Sequence, residues 1–177
     1  MLIRANDLEV RTITEDELDA ILMVYSLSED FLALGPESKA SMDMVIKDLE
    51  ISRNESGCFC GIYQPDGKMV GVVNFVPKDF DGEHGVSFIS LLMIAAPFRR
   101  HGLGTKVVEM VEEEITNNFH PEMIRIAVQI NNPGALRFWK RFGYRIIKGP
   151  ELRPDQTTVY YLQKETSSKT PDVCSSN

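Results

Sequence analysis

Arg99-Arg100-His101-Gly102-Leu103-Gly104 joins an apolar run, Val86 to Ala96, to a long helical pattern, Leu103 to Ile115. A strand that feeds a glycine-bearing basic turn and then a helix is suited to a negatively charged group such as a pyrophosphate. Glycine lets backbone approach a ligand closely, and the first turn of a helix offers unpaired amide donors at the positive end of its dipole. The rest of the chain is acidic, with a net charge of −7. Arg99, Arg100 and His101 therefore stand out as a basic turn against an acidic background.

Two nucleotide-binding readings fall away. A dinucleotide fingerprint needs G-x-G-x-x-G, and position 107 is Val. A phosphate-binding G-x-x-x-x-G-K-[ST] loop is absent; Gly104-Thr105-Lys106 shares only a superficial likeness with its end. The pattern that fits is [Q/R]-x-x-G-x-[G/A], filled by Arg99, Gly102 and Gly104. It resembles the coenzyme A pyrophosphate loop of the GNAT superfamily of N-acetyltransferases. A second motif follows at family spacing: Asn132, Ala135, Trp139 and Gly143-Tyr144. It is similar to N-x-x-A-x-x-x-Y-x-x-x-G-[F/Y], with Trp139 in place of Tyr. The resemblance covers roughly residues 8 to 165.

The bulk of the chain agrees with a single enzyme-sized domain. Its 177 residues, 43% of them hydrophobic, suffice for one real core. The acidic balance argues against nucleic acid as the main partner. No apolar run approaches the ~20 residues of a membrane span. Met1 to Asp7 lacks the apolar core of a signal peptide, which leaves a cytoplasmic location as the default expectation. Cys58 and Cys60 share one face of a strand pattern and read as reduced, buried thiols; no metal-ligand spacing is present. Cys174 falls in a polar segment, Thr166 to Asn177, read as a disordered tail after a domain spanning 1–165.

Along the chain, Leu8 to Thr14 alternates as a strand, and Glu15, Asp16 and Glu17 open a helix with the face Leu18, Ile21, Leu22, Tyr25. Gly35-Pro36 breaks the segment Ser26 to Ser38, and Met42 to Leu49 is a second helix. Cys58 to Gln64 and Met69 to Val76 form a hairpin across Pro65-Asp66-Gly67. Phe80 to Gly85 is a loop, and Val86 to Ala96 is too continuously apolar for a half-exposed strand. The next helix buries Leu103, Val107, Val108, Val111 and Ile115, with Glu109, Glu112 and Glu113 on a solvated face. Met123 to Ile130 is a strand. Asn132 caps a helix that begins at Pro133 and closes at Gly143. Arg145 to Lys148 and Thr157 to Gln163 pair across a proline-rich loop. The order β-α-α-β-β-β-α-β-α-β-β implies one α/β (α+β) domain with a mixed, mostly antiparallel sheet flanked by helices.

The resemblance implies acetyl-CoA as acyl donor, no metal, and an amine acceptor. In that family two neighbouring strands splay, and the pantetheine arm lies between them against free backbone groups. This role falls to Leu92, Met93 and Ile94. Arg99, Arg100, His101, Gly102, Leu103, Gly104 and Thr105 would wrap the pyrophosphate. Asn132 would bond the pantetheine arm, and Ala135 and Phe138 would border the thioester. The acid–base groups are less well specified. Trp139 stands where the family has its proton-donating Tyr, and an indole N–H is no useful acid. The central strand carries no Asp, Glu or His. Glu83, His84 and Ser90 are the candidates, with Ser87 as a further water holder.

The acceptor region falls to residues 26–38 and 78–84, where Glu29, Asp30, Asp79, Asp81 and Glu83 outnumber Lys78. An acidic mouth favours a cationic small primary amine. The alternatives are a protein N-terminus or lysine as acceptor, or a non-catalytic acyl-CoA sensor or partner-binding protein. The expected assembly is a monomer or homodimer, without nucleic acid or membrane.

Overall fold

A computed structural model describes residues 1–5 and 7–166. The expected disordered segment lies, apart from Thr166, outside the described residues, as does Cys174. The elements are β1 (Leu2–Ala5), β2 (Leu8–Thr12), α1 (Leu18–Ser26), α2 (Glu29–Leu32), α3 (Met42–Asn54), β3 (Cys58–Tyr63), β4 (Met69–Val76), β5 (Val86–Ile94), α4 (Leu103–Phe119), β6 (Met123–Gln129), α5 (Pro133–Arg141), β7 (Arg145–Leu152) and β8 (Thr158–Glu165). They build one eight-stranded sheet of order β1-β2-β3-β4-β5-β6-β8-β7. All neighbouring pairs are antiparallel except β5 and β6.

Two cores cover the two faces of the sheet. On one face Val107, Val108, Val111 and Ile115 of α4 and Trp139 of α5 pack with Ile124, Ile126 and Val128 of β6 and with Phe75 and Ile89. On the other, Ile21, Val24 and Tyr25 of α1 and Val45 of α3 pack on Phe59, Val72 and Met93. Alternation along β4 and β5 sends successive side chains to opposite cores, so both strands read as continuously apolar.

The expected order of elements holds, with two additions. The four residues of β1 carry too little pattern to read alone and are strand because Leu2 to Ala5 pairs with Arg11 to Leu8. The single turn α2 follows the break after Ser26. β7 continues to Leu152 through Gly149-Pro150, which the sequence placed in a loop. An edge strand tolerates proline, since its outward amide has no ladder partner to lose. The expected solvated face of α4 also needs correction. Glu112 is half-buried: it accepts from the Tyr144 hydroxyl at 2.8 Å and pairs with Lys164 Nζ at 2.5 Å.

Candidate active site

The site begins with a mismatch in strand pairing. β5 and β6 are paired in parallel only from Val86/Met123 to Ile89/Ile126. Beyond that point β6 keeps β8 as its partner, with Ala127, Val128 and Gln129 opposite Tyr161, Tyr160 and Val159. β5 keeps β4, with Leu91 to Ile94 opposite Asn74 to Gly71. The two strands therefore part company, each held from its far side, and a cleft of about 850 Å³ opens between them. That volume suits a cofactor-sized ligand.

The divergence coincides with a bulge. The β4–β5 register shifts between Asn74 and Phe75, whose partners are Leu91 and Ile89, so Ser90 is the extra residue. The Ala95 amide donates to the Val70 carbonyl at 2.9 Å. Antiparallel alternation then turns the backbone groups of Met93 and Leu91 toward β4 and those of Leu92 and Ile94 toward the cleft. Met93 is thereby corrected as a backbone contact for a ligand: its peptide groups pair with Val72 and its side chain is buried among the α1 and α3 residues.

The wide end of the cleft meets the turn read first in the sequence. Arg100 and Gly102 both have left-handed backbone, φ 67° and 76°. Gly102 caps α4, whose first turn has no side-chain cap. Its amides are thus left for a ligand. Arg99, Arg100, Gly102, Leu103, Gly104 and Thr105 all line the cleft, whereas His101 is exposed and does not. A Cβ on Gly104 would meet Phe138 ring atoms at 3.7 and 3.8 Å, ordinary van der Waals contact, so the backbone there has room for a side chain.

Arg99 is only partly available. Its Nε donates to the Ile94 carbonyl at 2.6 Å and its Nη1 to Asp30 at 2.5 Å. It anchors the turn to the end of β5 and to α2. On the opposite wall, Asn132 Oδ1 accepts from the Ala135 amide at 2.9 Å, capping α5 and leaving its amide hydrogens free. Ala135, Phe138 and Trp139 complete that wall. Trp139 is 8% exposed and stacks edge-on against Phe138 and Tyr144 at 5.3 and 5.1 Å between centroids.

Of the three candidate acid–base residues, the structure brings only Ser90 to the cleft. Glu83 is gripped by both terminal nitrogens of Arg125, at 2.7 and 3.0 Å, and that guanidinium holds its carboxyl below the usual range. His84 is exposed beside Asp79 at 3.1 Å. Neither lines the cavity, because both precede β5 at the closed end of the β5–β6 pair. Ser87 is buried and donates to the Pro77 carbonyl. Tyr144 is fully buried and its hydroxyl is engaged with Glu112. Burial beside that carboxylate pushes the phenol far above its ordinary value, and its hydrogen is already committed to Glu112, away from the cleft.

Four of the five carboxylates of the acidic mouth have a basic neighbour, while Asp81 has no ion-pair partner among the described residues. Glu29 holds Lys39, Asp30 holds Arg99, Asp79 holds His84 and Glu83 holds Arg125. The charged groups that do line the cleft are Arg99, Arg100, Arg141, Arg153 and Asp155. Phe31 of α2 brings the expected acceptor segment 26–38 to the cleft, whereas the β7–β8 loop residues Arg153, Asp155 and Thr157 were missed from sequence. The latter come from a segment with no periodic pattern and reach the cleft only through the tertiary fold. Among the described residues no group of His, Cys, Asp and Glu gathers to hold a metal. No helix among them is long and apolar enough to cross a membrane.

Comparison with known proteins agrees with this geometry. The model of the acetyltransferase (GNAT) family matches residues 21–144. A probable N-acetyltransferase, san, of Drosophila melanogaster is 32% identical over 88 residues, 48% of each chain. N-alpha-acetyltransferase 50 of Danio rerio is 33% identical over 84 residues, 46% of this chain and 50% of that one. The chain thus spans about half the length of the curated relatives it matches. Its fold superposes on the crystal structure of an acetyltransferase from Thermus thermophilus with a TM-score of 0.76 and 18% identity, covering 94% of this chain and 100% of that one.

Proposed function

Since the chain belongs to the GNAT family of acetyltransferases, we propose that it transfers the acetyl group of acetyl-CoA to a primary amine. One observation carries this reading: β5 and β6 stop pairing at Ile89/Ile126, and the cleft so formed runs to an uncapped helix start behind a glycine turn. The pyrophosphate would sit on the amides at Gly102 to Thr105. Arg100 supplies charge there. The pantetheine arm would run back along β5 and pair with the cleft-facing backbone of Leu92, with Asn132, Ala135 and Phe138 on the far side.

The chemistry needs an acceptor nitrogen in its free-base form, a donor for the developing oxyanion and a route for protons. Cleft-facing amides of β5 serve the oxyanion. Protons move through water, because Trp139 and Tyr144 are both unsuited to deliver them.

For the acceptor, the pairing of Glu29, Asp30 and Glu83 with Lys39, Arg99 and Arg125 weakens the case for a cationic small amine drawn to an acidic mouth. A cleft lined by one carboxylate and several arginines favours a singly charged amine, such as the α-amino group of a peptide. The name of one curated relative, N-alpha-acetyltransferase 50 of Danio rerio, supports the same reading. The test is release of free thiol from acetyl-CoA with peptides bearing free N-termini, the same peptides with blocked N-termini, internal lysines, and polyamines. Turnover confined to the free α-amines is expected. Turnover of polyamines alone would overturn the acceptor assignment, and thiol release with none of them would favour an acyl-CoA sensor.

A further inference from the structure

A chain of three side chains crosses the sheet at the bulge. Ser52 of α3, 2% exposed, donates from its hydroxyl to Asn74 Oδ1 at 2.6 Å. Asn74 of β4, 5% exposed, donates from Nδ2 to Ser90 Oγ at 2.7 Å. Ser90 is exposed in the cleft. The arrangement is tightly boxed: a Cβ on Gly57 would lie 2.8 Å from Ser52 Oγ and 3.3 Å from Asn74 Oδ1.

The order of donors matters. Ser90 Oγ already accepts from Asn74, so its own hydrogen must point elsewhere. The protein acceptor within reach is the Asn74 carbonyl at 3.3 Å, beyond the usual range for an O–H donor. The remaining direction is the cleft. Successive donors in such a chain also polarise one another, which strengthens the last of them.

The position of Ser90 gives that donor a target. From Ile94 back to Ser90, β5 offers roughly 13 Å of strand for an extended arm to follow. The cleft closes just past Ser90, at the Ile89/Ile126 pair. A ligand anchored at the glycine turn therefore ends beside Ser90 and Trp139. Resting on the acetyl-CoA reading above, we infer that Ser52 and Asn74 aim the Ser90 hydroxyl hydrogen at the sulfur that leaves the thioester. The amine lone pair forms the C–N bond and the C–S bond breaks with its electron pair on sulfur. Ser90 donates a hydrogen bond to that thiolate and keeps its proton. The proton lost by the amine goes to water, and water later protonates the thiolate. Ser90 would touch the reacting atom; Asn74 and Ser52 are positioning residues.

The test reads the thiol itself. The thiolate absorbance of the protein–CoA complex is titrated against pH, with the complex of desulfo-CoA as blank. Arg99, Arg100, Arg141, Arg153 and Asp155 also face the cleft, but they are common to every variant compared. Ser90→Ala, at an exposed position, should fold, bind CoA and raise the thiol pKa by about one unit, the scale of a hydrogen bond to a charged group. Ser90→Thr, which keeps the hydroxyl, should stay at the wild-type value. Asn74→Leu removes the donor to Ser90 with a similar shape and no new charge, and should raise the pKa alone, yet add nothing in the Ser90→Ala background. An unmoved titration in a CoA-bound Ser90→Ala protein would overturn the inference. An Asn74→Leu shift that persists without Ser90 would overturn the positioning role. Failure of the wild-type protein to bind CoA would instead remove the reading on which both rest.

Discussion

Asp30 and Arg99 are joined by a 2.5 Å hydrogen bond from the guanidinium Nη1 to the carboxylate, and this bond ties α2 to the turn at the wide end of the cleft. The same segment is held at two further points. The Leu27 carbonyl accepts from the Ala96 amide at 3.0 Å, and the Leu34 carbonyl accepts from Asn131 Nδ2 at 2.9 Å. Residues 27–34 thus bridge the end of β5 and the β6–α5 turn. An exposed ion pair contributes at most ~1 kcal/mol. Asp30→Asn should therefore barely move Tm while speeding amide exchange in residues 27–34. Unchanged exchange together with a loss of several degrees would show that the pair supports the core instead.

Tyr144 separates two roles that its place in the motif leaves open. Its ring packs beside Trp139 and its hydroxyl donates to Glu112, which also holds Lys164. Tyr144→Phe should leave kcat within about twofold, and the loss of one buried hydrogen bond to a charged group should cost about 1.5–3 kcal/mol in urea unfolding. A large fall in kcat with stability intact would place that hydroxyl in the chemistry.

Trp139 forms part of the cleft wall and part of the core. Trp139→Phe keeps an apolar wall and should retain most of kcat. Trp139→Ala should destabilise the domain by about 3–5 kcal/mol, because the ring is buried between Phe138 and Tyr144. A hundredfold loss of kcat in the Phe variant, with fold and KM preserved, would mean that the indole N–H takes part.

Acid sensitivity is expected from Glu17. Arg11 donates to both its oxygens, at 2.9 and 2.7 Å, and the Tyr63 hydroxyl and the Thr14 amide donate as well. The guanidinium, first among these, holds the carboxyl at about 2 against an ordinary 4.5. The unfolded chain takes up this proton more readily, so the stabilisation is complete above the ordinary value and is lost as pH falls toward the folded one. The urea midpoint of the wild type should approach that of Glu17→Gln between about pH 5 and pH 3. A gap that stays constant over this range would contradict the assignment.

Much of this architecture was legible in the sequence, for identifiable reasons. The β3–β4 hairpin announces itself through Pro65-Asp66-Gly67, and α5 through Asn132-Pro133, because local chemistry decides both. The glycine turn was equally plain. What escaped notice depends on contacts distant in sequence. Arg153 and Asp155 reach the cleft only through the tertiary fold, and nothing in their own neighbourhoods marks them. Glu112 belongs by spacing to the outer face of α4, yet Lys164 and Tyr144 come from β8 and the start of β7 to cover it. Met93 read as cleft backbone because alternation of peptide direction follows from pairing register, which a single strand does not carry.

The central claim is that acetyl-CoA lies in the β5–β6 cleft with its pyrophosphate on the turn that precedes α4. Gly104→Val tests it most directly. The added Cβ meets only the Phe138 ring, at 3.7 Å or beyond, so the variant should fold as the wild type does. Its branches enter the space where the pyrophosphate would approach. Calorimetric titration with acetyl-CoA should show binding to the wild-type protein and a loss of tenfold or more in the variant, at about 1.4 kcal/mol per tenfold step. Equal affinity in a folded Gly104→Val protein would contradict the account.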